Sequence, residues 1–187
     1  AREINKEMFK YIREKADTID LELGMLRGPA PDMETSKRRF SHKLAIAPNA
    51  TSSIALDTSP SIELWAANAF VRRTTAGSML AKNVYLEREL EKHGKNTKEV
   101  WDSIIGDDGS VRNLSFLSEK EKSVFKTARE VDQRWVVLHA ADRTPFICQA
   151  QSVNLFGNAG DDINVVSDYH YLAWKMGVKS LYYFRSR

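Results

Sequence analysis

The stretch Leu44-Ala45-Ile46-Ala47-Pro48-Asn49-Ala50-Thr51-Ser52-Ser53-Ile54 constrains this chain more than any other. An apolar run of strand type stops at Pro48, because proline has no amide hydrogen to give to a ladder. A short polar turn, three hydroxyl residues and a return to apolar residues follow, which is the order strand, turn, helix start. Thr51, Ser52 or Ser53 can cap that helix, since a hydroxyl accepts from a backbone N–H two or three residues on. The first turn of a helix leaves N–H groups unpaired at the positive end of its dipole. Such an end accepts an anion, phosphate above all, and the cradle here would be made mostly of backbone. On spacing alone, an ordinary capped helix after a strand is the commoner outcome.

Ala47 to Ile54, continuing through Thr58-Ser59-Pro60-Ser61-Ile62-Glu63, resembles the phosphate-binding loop of class I ribonucleotide reductase large (catalytic) subunits. Far along the chain, Gly177-Val178-Lys179-Ser180-Leu181-Tyr182-Tyr183 is similar to the paired tyrosines that carry the radical in that family. Between them, Cys148-Gln149-Ala150-Gln151-Ser152-Val153-Asn154-Leu155 resembles a family strand segment. Three matches in family order are far more specific than one. Asp57 and Leu64 depart from the pattern, standing where a small residue and a proline are usual.

The resemblance implies an α/β fold, part of a ten-stranded α/β barrel to which this chain supplies C-terminal half-barrel strands with helical insertions. Residues 1–187 would be the C-terminal portion of that barrel, with a linker over 24–39 and a helical insertion over 80–145. Pro48, Asn49, Ala50, Thr51, Ser52 and Ser53 would hold the phosphates of a ribonucleoside diphosphate. Tyr182 and Tyr183 would transfer the radical, with Tyr182 nearer the reactive cysteine and Tyr183 nearer the small subunit. The implied partners are the remainder of the large subunit, the small (beta) subunit with its di-metal tyrosyl radical, and thioredoxin or glutaredoxin. ATP and dNTP effectors would bind the missing N-terminal part, and the compartment would be cytoplasmic. No cofactor and no metal is expected in this chain. The alternative is a non-catalytic module that binds nucleotide or phosphate.

Reducing the ribose 2′-carbon needs a radical that takes the 3′ hydrogen and a dithiol that supplies electrons. The resembled family does the first with a cysteine thiyl radical and the second with a cysteine pair. This chain has 187 residues and one cysteine, Cys148. One thiol cannot be both initiator and reductant pair, so Cys148 is expected to pack and the sulfur chemistry to lie elsewhere. A single cysteine also excludes an internal disulfide framework. The chain begins at Ala1 and stops at Arg187 before any redox tail, so a fragment or one half of a split subunit is expected. The net charge of +3 does not by itself imply nucleic acid, and no nucleic-acid motif accompanies it. No apolar run approaches the roughly 20 residues of a membrane helix.

Taken in order, Ile4, Met8, Tyr11, Ile12, Ile19 and Leu23 fall at helical spacing, predicting an amphipathic helix over 3–23 with Gly24 as its stop. The basic run Lys37-Arg38-Arg39 and the pair Arg72-Arg73 read as solvated faces. His42 to Ala47 is the first expected strand, while 62–71 is undecidable between helix and strand. Residues 80–93 read as a helix burying Leu86 and Leu90, with Gly94 as its stop. Asn96 or Thr97 then caps a short helix carrying Val100, Trp101, Ile104 and Ile105. Gly106-Asp107-Asp108-Gly109 is a turn rather than a calcium loop, because the distal glutamate pattern is absent. Ser118-Glu119-Lys120-Glu121 is a capping box opening one long helix, with Val124, Phe125, Ala128, Val131, Trp135 and Leu138 as its buried stripe. His139 near its end would suit the helix dipole as an imidazolium. His42, His93 and His170 likewise read as structural. Residues 146–155 read as a strand whose polar side faces a site, 163–176 as a helix, and 178–183 as the last strand.

Overall fold

The computed structural model describes residues 1–56, 58–74 and 77–186. Asp57, one of the two departures from the family pattern, lies outside them. The chain divides into two compact units, Ala1–Pro48 with Gln133–Arg187, and Asn49–Asp132. The insertion expected over 80–145 overlaps the second unit as far as residue 132.

The first unit opens with α1 (Arg2–Arg27), which runs through the expected stop at Gly24 and ends at Gly28, φ 79°. Gly24 is buried, and a Cβ there would stand 2.0 Å from the Lys37 carbonyl oxygen. The glycine therefore serves the close approach of the 37–39 backbone, not the end of the helix. The basic run is also not a free solvated face. Arg38 Nη1 lies 3.2 Å from both Asp17 Oδ1 and Asp20 Oδ2. Lys43 Nζ reaches the same two carboxylates at 2.5 and 3.2 Å, and the Phe40 amide donates to Asp20 Oδ1 at 2.8 Å. The linker is pinned to α1 through two acidic side chains one turn apart.

Helix α6 (Gln133–Arg143) packs against α1 and against α7 (Ile163–Lys175). Arg143 is buried; its Nε donates to Gln151 Oε1 at 3.0 Å and its Nη1 to Asn5 Oδ1 at 3.2 Å. Gln151 Nε2 donates to the Ala140 carbonyl at 2.9 Å and to Thr144 Oγ1 at 3.0 Å. The polar side of 146–155 thus docks onto α6 at Gln151 instead of lining an open site. His42–Ala47 is extended but forms one parallel bridge, Ile46 to Gln151, rather than a full strand. Regular pairing appears further along, where β3 (Leu155–Gly157) runs parallel to β4 (Phe184–Ser186). β3 therefore starts at the last residue of the strand expected over 146–155, and β4 starts just beyond the one expected over 178–183.

The second unit begins with α2 (Ala50–Leu56). The hairpin β1 (Ala69–Thr74) and β2 (Gly77–Lys82) follows, in register from Ala69↔Lys82 to Thr74↔Gly77. Then come α3 (Val84–Lys92), α4 (Lys98–Gly106) and α5 (Glu119–Val124). Residues 80–82, expected as helix, are strand because they are paired across the hairpin. Leu86 and Leu90 of α3 meet Trp101 and Ile104 of α4 in the core, with Val111, Leu114 and Leu117. Buried Asn68 ties this unit together. Its amide donates to the Gly109 and Phe125 carbonyls, and its Oδ1 accepts from Asn83 Nδ2 at 2.9 Å. The Ser118–Glu121 capping box is present, but the helix it opens is short. A second capping box, Thr127 with Glu130, starts a 3-10 turn at Ala128–Glu130, and α6 begins only at Gln133. The expected buried stripe is broken accordingly: Val124 is 68% exposed and Trp135 52%.

Candidate functional site

The first candidate site is the turn into α2. Its helix starts at Ala50, so Thr51, Ser52 and Ser53 lie inside the helix and none is its cap. Ser53 is buried and its hydroxyl donates to the Ala50 carbonyl at 2.8 Å. Thr51 and Ser52 are exposed, as are Pro48, Asn49 and Ala50. The Ser53 amide closes the first helical bond onto the Asn49 carbonyl at 2.9 Å. Helix geometry leaves the amides of Ala50, Thr51 and Ser52 without intrahelical acceptors, aimed out of the helix start. The Asn49 amide instead donates to the Pro60 carbonyl at 3.1 Å, which folds the 58–61 segment back under the turn. The chemistry available is an anion cradle of three amides and two hydroxyls, with no charged side chain among its residues. Leu64, the second departure from the family pattern, is half-buried.

The second candidate site is the tyrosine pair. The Tyr182 and Tyr183 ring centroids are 4.0 Å apart with planes inclined at 50°. A pleated strand sends neighbours to opposite faces. Here β4 begins only at Phe184, so both phenols sit in extended but irregular backbone, which lets the rings lie together. That backbone is nonetheless held firmly. The Tyr182 amide donates to the Val153 carbonyl at 2.8 Å, and the Leu155 amide donates to the Tyr183 carbonyl at 2.9 Å. Upstream, Lys179 Nζ donates to three consecutive carbonyls, those of Ile147, Cys148 and Gln149, at 2.9, 2.9 and 3.2 Å. The Ser180 hydroxyl donates to the Gln151 carbonyl at 2.9 Å. A hydrogen bond with the Tyr183 hydroxyl raises the Tyr182 pKa above the ordinary phenol value. The pair is about half exposed.

Lys179, Ser180 and Arg185 have no separate reading in the sequence. Lys179 and Ser180 belong to the tyrosine motif, but only the tertiary pairing gives them a task. The available signal for Arg185 is only its place two residues after Tyr183.

Cys148 does more than fill space. Its sulfur accepts from the Lys43 and Leu44 amides at 3.0 and 3.1 Å. Burial acts to raise its pKa, but these backbone donors outweigh it and lower the value. His139 lies in α6, where burial, and after it Arg143, lowers its pKa, so it is neutral at pH 7 and not the expected imidazolium. His93 Nε2 lies 2.7 Å from Glu121 Oε1 and 4.0 Å from Glu89 Oε1. Glu121 is already the reciprocal member of the Ser118 capping box, so His93 extends that cap to the end of α3.

A family model described as the ribonucleotide reductase barrel domain matches residues 30–184. The large subunit of ribonucleoside-diphosphate reductase from Invertebrate iridescent virus 6 is 47% identical over 100% of this chain, which covers 20% of that relative. The corresponding subunit of Invertebrate iridescent virus 3 is 48% identical over 98% of this chain and is 30% covered. Among solved structures, the class Id ribonucleotide reductase alpha subunit of Actinobacillus ureae superposes with a TM-score of 0.89 at 33% identity. That match covers 100% of this chain and 34% of the other. The chain therefore spans between a fifth and about a third of the length of these relatives.

Proposed function

This chain belongs to the ribonucleotide reductase barrel-domain family, and from that premise we propose that it is one part of a ribonucleoside-diphosphate reductase large subunit. In this reading it contributes a substrate-phosphate cradle and a two-tyrosine radical relay to the reduction of ribonucleotides to deoxyribonucleotides. The observation that carries the reading is the tyrosine pair, with ring centroids 4.0 Å apart on backbone clamped by Lys179, Ser180 and the 153–155 segment.

A phenol gives up an electron readily only if its proton has somewhere to go. Each hydroxyl of the pair has the other as its neighbour, so an electron and a proton pass between them over one short step. The turn into α2 takes the other end of the reaction. Backbone amides of Ala50, Thr51 and Ser52, with the exposed hydroxyls of Thr51 and Ser52, hold the diphosphate of the substrate at the helix start. Fixing the phosphates turns binding energy into placement of the sugar. The thiyl radical and the cysteine pair come from the remainder of the large subunit, since this chain has one cysteine. The small subunit supplies the initiating radical from its di-metal site, thioredoxin or glutaredoxin restores the dithiol, and nucleotide effectors bind outside this chain.

The test uses the complete large subunit with its small-subunit partner. Tyr182→Phe and Tyr183→Phe are each expected to abolish deoxynucleotide formation, because phenylalanine cannot be oxidised at an accessible potential. Substrate binding should persist. Turnover retained by either variant would remove the relay from this chain.

A further inference from the structure

Arg185 lies two residues beyond Tyr183 and is the second residue of β4. Phe184, between them, lies across Gly157, where a Cβ would stand 2.5 Å from its ring. The guanidinium carbon of Arg185 is 5.1 Å from the centroid of the Tyr183 ring. The β3–β4 register holds this arrangement, with Phe156 opposite Arg185 and the Leu155 amide bonded to the Tyr183 carbonyl. Both residues are exposed, so the cation is not held there for burial of the fold.

Resting on the relay reading of the pair, we propose that Arg185 is a tuning residue that biases the radical away from Tyr183 and onto Tyr182. The step is an exchange between neighbours: Tyr183 phenoxyl and Tyr182 phenol become Tyr183 phenol and Tyr182 phenoxyl. One electron and the phenolic proton leave Tyr182, and the same electron and proton arrive on Tyr183, so nothing else is consumed. A cation over an aromatic face is attracted by the electron density of the ring. Taking an electron from the ring depletes that density. Arg185 therefore attracts the Tyr183 phenol more strongly than the Tyr183 phenoxyl, and the exchange is driven toward a radical on Tyr182. By the family's order, Tyr182 is the member nearer the reactive cysteine, so the bias runs toward the substrate. At an exposed site an interaction of this kind shifts an equilibrium about two- to fivefold.

The experiment uses the complete large subunit with its radical-generating partner and a ribonucleoside diphosphate. Deuterium-labelled tyrosine at position 183 lets electron paramagnetic resonance read the share of trapped radical on that residue. Arg185→Gln should raise the Tyr183 share about two- to fivefold, and Arg185→Lys, which restores a cation, should bring it back toward the parental value. An unchanged share in Arg185→Gln, or an equal rise in Arg185→Lys, overturns the inference. Tyr183→Phe separates the two layers. If that variant still turns over, the relay reading itself fails. If it is inactive while Arg185→Gln leaves the share unmoved, only the tuning role is lost.

Discussion

Ser53 turns its hydroxyl onto the Ala50 carbonyl and is buried, whereas Ser52, one residue earlier, is exposed at the mouth of the helix start. On the proposed phosphate assignment, a negative charge at Ser52 would meet the diphosphate without disturbing the core. Ser52→Asp should raise the Michaelis constant for a nucleoside diphosphate about tenfold, from like-charge repulsion a few ångströms apart, while leaving kcat nearly unchanged. An unchanged constant in steady-state kinetics would remove the phosphate assignment. Asp17 and Asp20 make a second prediction at this scale. Burial acts to raise Asp17, but hydrogen bonds from Lys43 and Arg13 outweigh it and bring its pKa down to about 2. Asp20 is also lowered, its burial being overcome first by the Phe40 amide and then by Lys43 and Arg38. Both folded values lie below the ordinary aspartate value of about 3.9. Their stabilisation is therefore complete above that pH and is lost as the pH falls toward 2. The protection factor of the Phe40 amide, which donates to Asp20, should fall across that window and stay flat above it once the intrinsic pH dependence of exchange is divided out.

At the scale of elements, the contact between the end of α3 and the start of α5 depends on one reciprocal cap. Ser118 and Glu121 satisfy each other's backbone amides, and Glu121 also receives His93 from the end of α3. Ser118→Ala should destabilise the chain by about 0.5–2 kcal/mol, read from a denaturation midpoint. Ser118→Asp, which keeps an acceptor at the cap, should recover most of the loss. The capping signals were legible because they are local: a hydroxyl and a carboxylate three residues apart need nothing from the rest of the chain. The same locality misled the reading further on. Helical spacing continues from Val124 to Leu138, yet Thr127 and Glu130 form a cap of their own in the middle, and the chain leaves one compact unit for the other near Asp132. Residues 77–82, Gly-Ser-Met-Leu-Ala-Lys, carry little strand propensity, and only their partner Ala69–Thr74 makes them a strand.

For the molecule as a whole, the exposed apolar surface matters most. On α1, Ile4, Met25 and Leu26 are 74%, 73% and 79% exposed. On α7, Ile163 and Trp174 are 75% and 73% exposed. The amphipathic pattern of α1 was correctly read as a helix, but the residues it buries in this chain are Asp20 and Gly24, not the apolar stripe. Large apolar faces left open in this way mark contact surfaces. The chain spans 20–34% of the length of the relatives reported above, and in the reading proposed here the remainder of a large subunit covers these faces. Ultracentrifugation of the isolated chain should accordingly show self-association or aggregation, relieved by the complementary part of the subunit. A monodisperse monomer with a cooperative melt would count against that dependence.

The amino-acid order alone determined what short-range chemistry decides. It set the capping box at Ser118, the glycine stop at Gly94, the hydroxyl turn after Pro48 and the adjacent phenols, because each depends on groups only a few residues apart. Tertiary structure decided what depends on groups far apart in the chain. Gly24 became a contact point for Lys37, Gln151 a brace for α6, Lys179 a clamp on three carbonyls, and Arg185 a cation over Tyr183. The pairing of 44–46 with 149–152 and of β3 with β4 joins segments tens of residues apart. No periodicity within either partner encodes such a register, because the amides and carbonyls that set it lie on the other segment and meet only in the folded chain.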